Sequence, residues 1–295
     1  MKSPLFFGCA TALVTPFHAD GALDEEALLR LITLQRAANM DALVLLGTTG
    51  EPSTLTFKER ERIIQLGVSA AGSMPIIVGT GSNNTRLAIE YAQQAKALGA
   101  AGQLCVTPYY NKATQEGLIR HFTLIADSCD LPMILYNVPS RTGMSIQSET
   151  MLKLSVHPRI VGMKEASGDL SLSAKMLETT QGQFPLYAGN DDLILPLMAQ
   201  GAKGAISVVS NILPAQTREL TTACLKGELD IAQATQQALL PLIRALFTQV
   251  NPIPVKAALA AAGLIEDSLR LPLTPMEEPH RGKLMEILKA MNILA

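Results

Sequence analysis

Between Gly8 and about residue 210, short apolar runs alternate with stretches of amphipathic, helical period, and this alternation constrains the fold more than any other feature of the chain. The runs are Gly8–Val14, Ala42–Leu46, Ile76–Gly79, Gly102–Val106, Met133–Tyr136, Ile160–Met163, Leu186–Ala188 and Ala205–Val208. Runs of this length bounded by Gly, Pro or Ser read as buried strands. The helical stretches between them carry caps. Asp24 precedes Glu25, Glu26 and the Leu28, Leu31, Ile32 stripe, while Thr56 and Glu59 form a capping box ahead of Arg60–Ala71. Gly99 and Gly201 stand where a helix ends in a left-handed glycine.

One short phrase recurs at the helix-to-strand joints: Asn39-Met40-Asp41-Ala42-Leu43-Val44, Leu98-Gly99-Ala100-Ala101-Gly102 and Gln200-Gly201-Ala202-Lys203-Gly204-Ala205. A joint built three times suggests one repeated βα unit. Eight such units predict an α/β chain folded as a (β/α)8 TIM barrel over residues 1–222. An open doubly wound sheet is the alternative, but no GxGxxG follows the first strand. The remainder, 223–295, holds no strand candidate and reads as a C-terminal three-helix domain, near Leu229–Gln249, Pro254–Ala262 and Glu277–Met291. Asn251-Pro252-Ile253-Pro254 and Leu271-Pro272-Leu273-Thr274-Pro275 separate those helices.

Composition excludes several function classes. Lys and Arg number 24 against 26 Asp and Glu, a net charge of -2, which offers no electrostatic footprint for nucleic acid or an anionic membrane. No window approaches the roughly 20 apolar residues of a membrane span. Leu5-Phe6-Phe7 ahead of Cys9 is too short for a signal h-region and reads as entry to the first strand. Cys9, Cys105, Cys129 and Cys224 show no CxxC pairing, which suits a reducing cytoplasm. His18, His121, His157 and His280 lie too far apart for ligand spacing, so no metal site is expected.

In a barrel the reacting groups gather at the carboxyl ends of the strands. The run Ile160-Val161-Gly162-Met163 ends abruptly in Lys164, with Glu165-Ala166-Ser167-Gly168-Asp169 after it. A lysine there has its stem in the core and its amine at the rim, where desolvation disfavours the ammonium and makes a nucleophilic amine accessible. That is what a Schiff-base lysine needs. The plain alternative is a tip that snorkels to water or pairs with Glu165. The other strand ends carry Gly47-Thr48-Thr49-Gly50-Glu51, Thr107-Pro108-Tyr109-Tyr110-Asn111, Tyr136-Asn137-Val138-Pro139-Ser140-Arg141-Thr142-Gly143, Gly189-Asn190-Asp191, and Ile206 with Ser207.

This inventory has hydroxyls and a lysine, but no histidine and no obvious carboxylate pair. It therefore argues against a Ser-His-Asp hydrolase and a two-acid glycosidase. Gly47–Gly50 lacks the Gly-Lys-Ser/Thr ending of a P-loop and better suits donors for a carboxylate. Taken singly, the tyrosine pair reads equally as packing, Arg141 as a surface ion-pair partner and Thr48 as a turn residue. Chance placement of all of them on one face with Lys164 is harder to accept.

Nearly end to end, from Thr15-Pro16-Phe17 to Asn251-Pro252-Ile253-Pro254-Val255-Lys256, the chain resembles the dihydrodipicolinate synthase (4-hydroxy-tetrahydrodipicolinate synthase) family. That family belongs to the pyruvate-dependent aldolases, which include N-acetylneuraminate lyase. The most specific blocks are Gly47–Glu51, Thr107–Asn111, Leu135–Gly143 and Gly162–Ala166. The resemblance implies a Lys164 imine with pyruvate, deprotonation to an enamine, attack on L-aspartate 4-semialdehyde and release by transimination. No cofactor is implied beyond the imine with the substrate itself. Tyr136 is implied as general acid/base, linked through Thr48 to Tyr110 of a neighbouring subunit. A homotetramer, a dimer of dimers, is therefore expected. Thr49 and the backbone at Ile206 are implied to hold the pyruvate carboxylate, Arg141 the semialdehyde carboxylate, and Gly189 to leave room at the mouth.

Two departures limit the carry-over. Asn190 stands where many relatives have aspartate. At the lysine-feedback site of regulated relatives, Asn83 and Tyr109 match, but Leu87 replaces a glutamate that meets the ligand ammonium, and Pro52 and Arg60 also differ. Weak or absent lysine inhibition is the expectation. The rival readings are an aldolase for a sugar acid or N-acetylneuraminate, and an inactive barrel serving as a metabolite-binding module.

Overall fold

A computed structural model describes residues 2–294. Eight strands, β1 (Gly8–Ala12), β2 (Ala42–Leu45), β3 (Ile76–Gly79), β4 (Gly102–Val106), β5 (Met133–Asn137), β6 (Ile160–Glu165), β7 (Leu186–Ala188) and β8 (Gly204–Ser207), form a closed parallel barrel in sequence order. The last pairing, Gly8 with Gly204 through Thr11 with Ser207, closes it. Closure rather than an open sheet means that no edge is left unpaired. A close backbone approach accompanies it: a Cβ on Gly204 would lie 1.9 Å from the Gly8 carbonyl oxygen.

Helices α1 (Glu25–Ala37), α2 (Phe57–Ala70), α3 (Thr85–Ala97), α4 (Gln115–Asp127), α5 (Pro139–Thr142) and α6 (Ser148–Ser155) follow the first five strands. Helices α7 (Leu170–Thr179), α8 (Ile194–Ala199) and α9 (Pro214–Lys226) follow the last three. The anticipated caps form: Asp24 accepts from Ala27 N, and Thr56 and Glu59 make a reciprocal capping box. Each such cap contributes about 1 kcal/mol.

Because strand side chains alternate, the barrel carries two buried layers. The outer one lies between strands and helices and holds residues such as Leu43, Ile63, Phe122 and Met163. The inner one fills the barrel with Phe6, Ala10, Val44, Ile77, Ile134, Tyr187 and Ile206. Phe6 stacks on Tyr187 with centroids 4.4 Å apart, and the Tyr187 hydroxyl donates to the Phe6 carbonyl, so this part of the interior is solid.

Three further helices follow: α10 (Leu229–Leu246), α11 (Ile253–Ala261) and α12 (His280–Ala290). The division expected after residue 222 falls inside α9, whose hydrogen-bonded turns run unbroken to Lys226 and stop at Gly227, in the left-handed region at φ 75°. The added helices therefore begin beyond a barrel helix rather than at a linker. Lys256 of α11 ties them to the barrel: it is fully buried and bonds Glu51 at 2.6 Å and the Thr15 carbonyl at 2.9 Å. No described helix is long and apolar enough to cross a membrane.

Candidate active site

Lys164 sits in the last turn of alternation of β6, in register with Tyr136 on β5 and Tyr187 on β7. Register partners on adjacent strands share a face, so all three enter the barrel interior. Lys164 is 5% exposed, and its Nζ lies 4.5 Å from the centre of the Tyr136 ring. Its sequence neighbour Glu165 faces the other way. The Glu165 carboxylate accepts from Asn137 Nδ2 at 2.8 Å and Ser167 N at 2.6 Å, and burial raises its carboxyl above the ordinary range. A Lys164–Glu165 pair is thus ruled out by strand alternation. Among the described residues the Lys164 amine has no ion pair.

A cavity of about 550 Å³ opens over this amine. Thr48, Thr49, Tyr136, Arg141, Lys164 and Gly189 all line it, so six of the anticipated site residues meet there from the ends of β2, β5, β6 and β7. Gly189 is required for a reason closer in than substrate room. A Cβ there would lie 2.6 Å from Ala166 Cβ, 2.8 Å from the Glu165 carbonyl oxygen and 3.0 Å from Lys164 Cε, so the space is taken by the Lys164–Ala166 segment of the neighbouring strand end.

Two anticipated residues are not brought to this cavity. Ile206 is fully buried in the inner barrel layer, and Val208, just past the end of β8, lines the cavity. Tyr110 is 93% exposed and holds a left-handed φ of 71°, a conformation that costs a tyrosine on the order of 1 kcal/mol. It stands away from the cavity of its own chain.

Other lining residues were not assigned a role from the sequence. Asp191, 2% exposed, accepts from Val208 N at 3.0 Å and Val209 N at 2.7 Å. Burial raises its carboxyl, opposed by those N–H groups and by the Lys164 charge. Arg244 and Phe247 arrive from the last turn of α10, and Asn251 from the segment before α11. No local signal marks them, because helical period says which face is buried and not what covers it. The quoted Asn251–Lys256 block was the one available hint.

A second cavity of about 500 Å³ adjoins the first and is lined by Pro52, Arg60, Leu87, Tyr91 and Tyr109 among others. Arg60 is 1% exposed, stacks 3.7 Å over Tyr91 and donates to the Gly79 carbonyl at 2.8 Å. Burial pulls its guanidinium down to about 10, still a cation at neutral pH.

The fold and the amine-bearing cavity define a barrel lyase of the aldolase type. The sequence matches the profile of the "Dihydrodipicolinate synthetase family" over residues 5–291. It is 49% identical over 291 residues to the 4-hydroxy-tetrahydrodipicolinate synthase of Alkaliphilus oremlandii, covering 98% of this chain and all of that one. The crystal structure of dihydrodipicolinate synthase from Thermotoga maritima superposes with a TM-score of 0.96 at 42% identity, covering 99% of this chain and 100% of that one. The chloride-inhibited dihydrodipicolinate synthase of Acinetobacter baumannii, solved in complex with pyruvate, gives 0.96 at 41% identity, covering 98% and 99%. The chain belongs to the dihydrodipicolinate synthase family.

Proposed function

We propose that the protein condenses pyruvate with L-aspartate 4-semialdehyde to 4-hydroxy-tetrahydrodipicolinate in lysine and diaminopimelate synthesis, with Lys164 as the covalent residue. The observation that carries the reading is the buried Lys164 amine beside the Tyr136 ring, within one cavity also lined by Thr48, Thr49 and Arg141. The Lys164 amine adds to the keto carbon of pyruvate, and loss of water leaves an imine. The imine draws electrons from the methyl carbon, which releases a proton and becomes an enamine carbon. That carbon attacks the aldehyde, whose oxygen takes a proton. The amine of the second substrate then replaces Lys164 at the imine carbon, closes the ring and returns the lysine free.

Tyr136 suits the proton steps because a phenol both donates and accepts. Thr48 connects it to Tyr110 of a neighbouring subunit in this reading. What supports the intersubunit role is the strained, outward pose of Tyr110, which has no place in its own cavity. A homotetramer follows as the proposed assembly. Thr49 and the backbone near Ile206 receive the pyruvate carboxylate, and Arg141 receives that of the semialdehyde. The reaction needs no cofactor beyond the substrate imine. Four free cysteines suit the cytoplasm as the proposed location.

The test is turnover with pyruvate and, separately, aspartate 4-semialdehyde, N-acetylmannosamine and glyceraldehyde. Condensation with the semialdehyde alone is expected; preference for a sugar aldehyde moves the protein to a sister activity. Arg141→Ala is expected to raise KM for semialdehyde well above its effect on pyruvate, and equal effects would make Arg141 structural. Free lysine is expected to inhibit weakly or not at all, because its ammonium would meet Leu87 and the buried Arg60 cation. Strong inhibition at submillimolar lysine, a binding energy beyond about −4 kcal/mol, contradicts this.

A further inference from the structure

Asn251 lies where the added helices reach the reacting end of the barrel. It lines the cavity and is 7% exposed. Its Nδ2 donates to Thr49 Oγ1 at 2.9 Å, and its main-chain oxygen accepts from Arg141 Nη2 at 3.0 Å. A hydroxyl has one hydrogen to give and two lone pairs with which to receive. Because the Asn251 amide supplies the hydrogen in this contact, the Thr49 proton is not spent on it and stays available to an acceptor in the cavity. A carboxylate oxygen is such an acceptor.

The segment behind Thr49 is braced from the same side. Glu51 has a left-handed φ of 51°, and its carboxylate is held by Lys256. Lys256 continues to the Thr15 carbonyl, and Thr15 Oγ1 donates to the Gly50 carbonyl at 2.7 Å. The threonine loop therefore has little freedom to find another donor geometry if Asn251 changes.

We propose that Asn251 is a positioning residue for both carboxylate subsites, keeping Thr49 as a hydrogen donor toward the pyruvate carboxylate and holding the Arg141 fork for the carboxylate of the aldehyde substrate. This rests on the condensation proposed above. Asn251 Oδ1 is buried and receives no hydrogen bond from the described residues. An aspartate in its place finds no protein donor for its second oxygen, so its charge acts on Thr49 and on the incoming carboxylate.

Asn251→Asp turns the contact round. The new carboxylate accepts the Thr49 proton and sets a like charge near pyruvate. KM for pyruvate at about pH 8 is expected to rise roughly tenfold or more, equivalent to about 1.4 kcal/mol. The rise is expected to shrink as pH falls and the introduced carboxyl regains a proton. Asn251→Ala is expected to raise KM for both substrates a few-fold with no new pH dependence. A merely structural Asn251 would instead lower thermal stability and leave both KM values, and the pH profile of pyruvate KM, parallel to the parent; that result overturns the proposal.

Should Asn251→Asp not fold, a cycle of Asn251→Ala, Thr49→Val and the pair decides the matter. Strongly non-additive effects on pyruvate KM are expected, and additive ones overturn the proposal. Failure of the underlying reading shows separately, as a parent protein that traps no pyruvate under borohydride or does not turn over aspartate 4-semialdehyde.

Discussion

Two lysines are buried near the same threonine loop, and the protein treats them in opposite ways. Lys256, on an added helix, is matched on every side: Glu51 at 2.6 Å, the Thr15 carbonyl at 2.9 Å and the Phe17 ring at 4.4 Å. Arg270 completes that cluster, its own N–H bonding the other Glu51 oxygen while its guanidinium meets Glu59. Lys164, inside the barrel, faces a tyrosine ring and an open cavity instead. Both side chains are buried, which strips water from the Lys256 amine. At Lys256 partners convert that cost into a rivet between barrel and helices, even though burial still lowers its ammonium below the usual lysine range. At Lys164 the missing partner is the chemistry: an amine committed to a carboxylate has no lone pair to offer a carbonyl.

The sharpest way to break this comparison is to remove each lysine in turn. Lys164→Ala is expected to abolish borohydride trapping of pyruvate and cut turnover by roughly a thousandfold or more, a scale typical of losing a covalent nucleophile, while the melting temperature holds. A pyruvate adduct retained on that variant takes Lys164 out of the mechanism. Lys256→Met should do the reverse on the stability axis. It strands a buried carboxylate and is expected to cost about 3–5 kcal/mol in urea unfolding. Pairing it with Glu51→Gln should return much of that loss, since no charge is then left uncompensated. If the double variant is no better than the single, the pair is not the rivet described.

A third buried base sharpens the contrast because it has no counter-ion among the described residues. His121 on α4 contacts Thr85 Oγ1 at 2.9 Å, and its Nε2 is buried without a partner among the described residues. Burial alone pulls its imidazole from 6.5 to about 4. Between those values the unfolded chain binds a proton that the folded one refuses. Stability is therefore intact above about pH 6.5 and drains as pH falls toward 4, by about 3 kcal/mol. His121→Gln is expected to flatten that slope in denaturation curves taken across the window. An unchanged slope would place the acid sensitivity elsewhere.

Much of the barrel was legible because its signals are local. Every expected strand appears within one or two residues of its apolar run, with β6 extended to Glu165 because Lys164 continues the inward alternation. Caps at Asp24 and Thr56 depend on residues three or four apart and formed as read. The division expected after residue 222, drawn where strand candidates cease, falls inside α9, because a helix runs on while its hydrogen bonds continue and Gly227 ends this one. Within the site, Thr48, Thr49, Tyr136, Arg141, Lys164 and Gly189 could be gathered from strand ends alone. Ile206 is expected to act through its backbone, and its side chain fills the inner barrel layer below the cavity.

From the sequence alone came the count of βα units, the strand ends and the residue types available for carbonyl chemistry. These follow from periodicity and propensity acting over a few neighbours. What only the tertiary structure decided is pairing across the chain. It left Lys164 without an ion pair among the described residues and Lys256 bound, filled the Gly189 gap with the Lys164–Ala166 segment, and set Asn251 on Thr49 across 202 residues of sequence. Such contacts depend on where closure of the barrel and docking of the added helices bring distant groups, and local pattern carries no record of that distance.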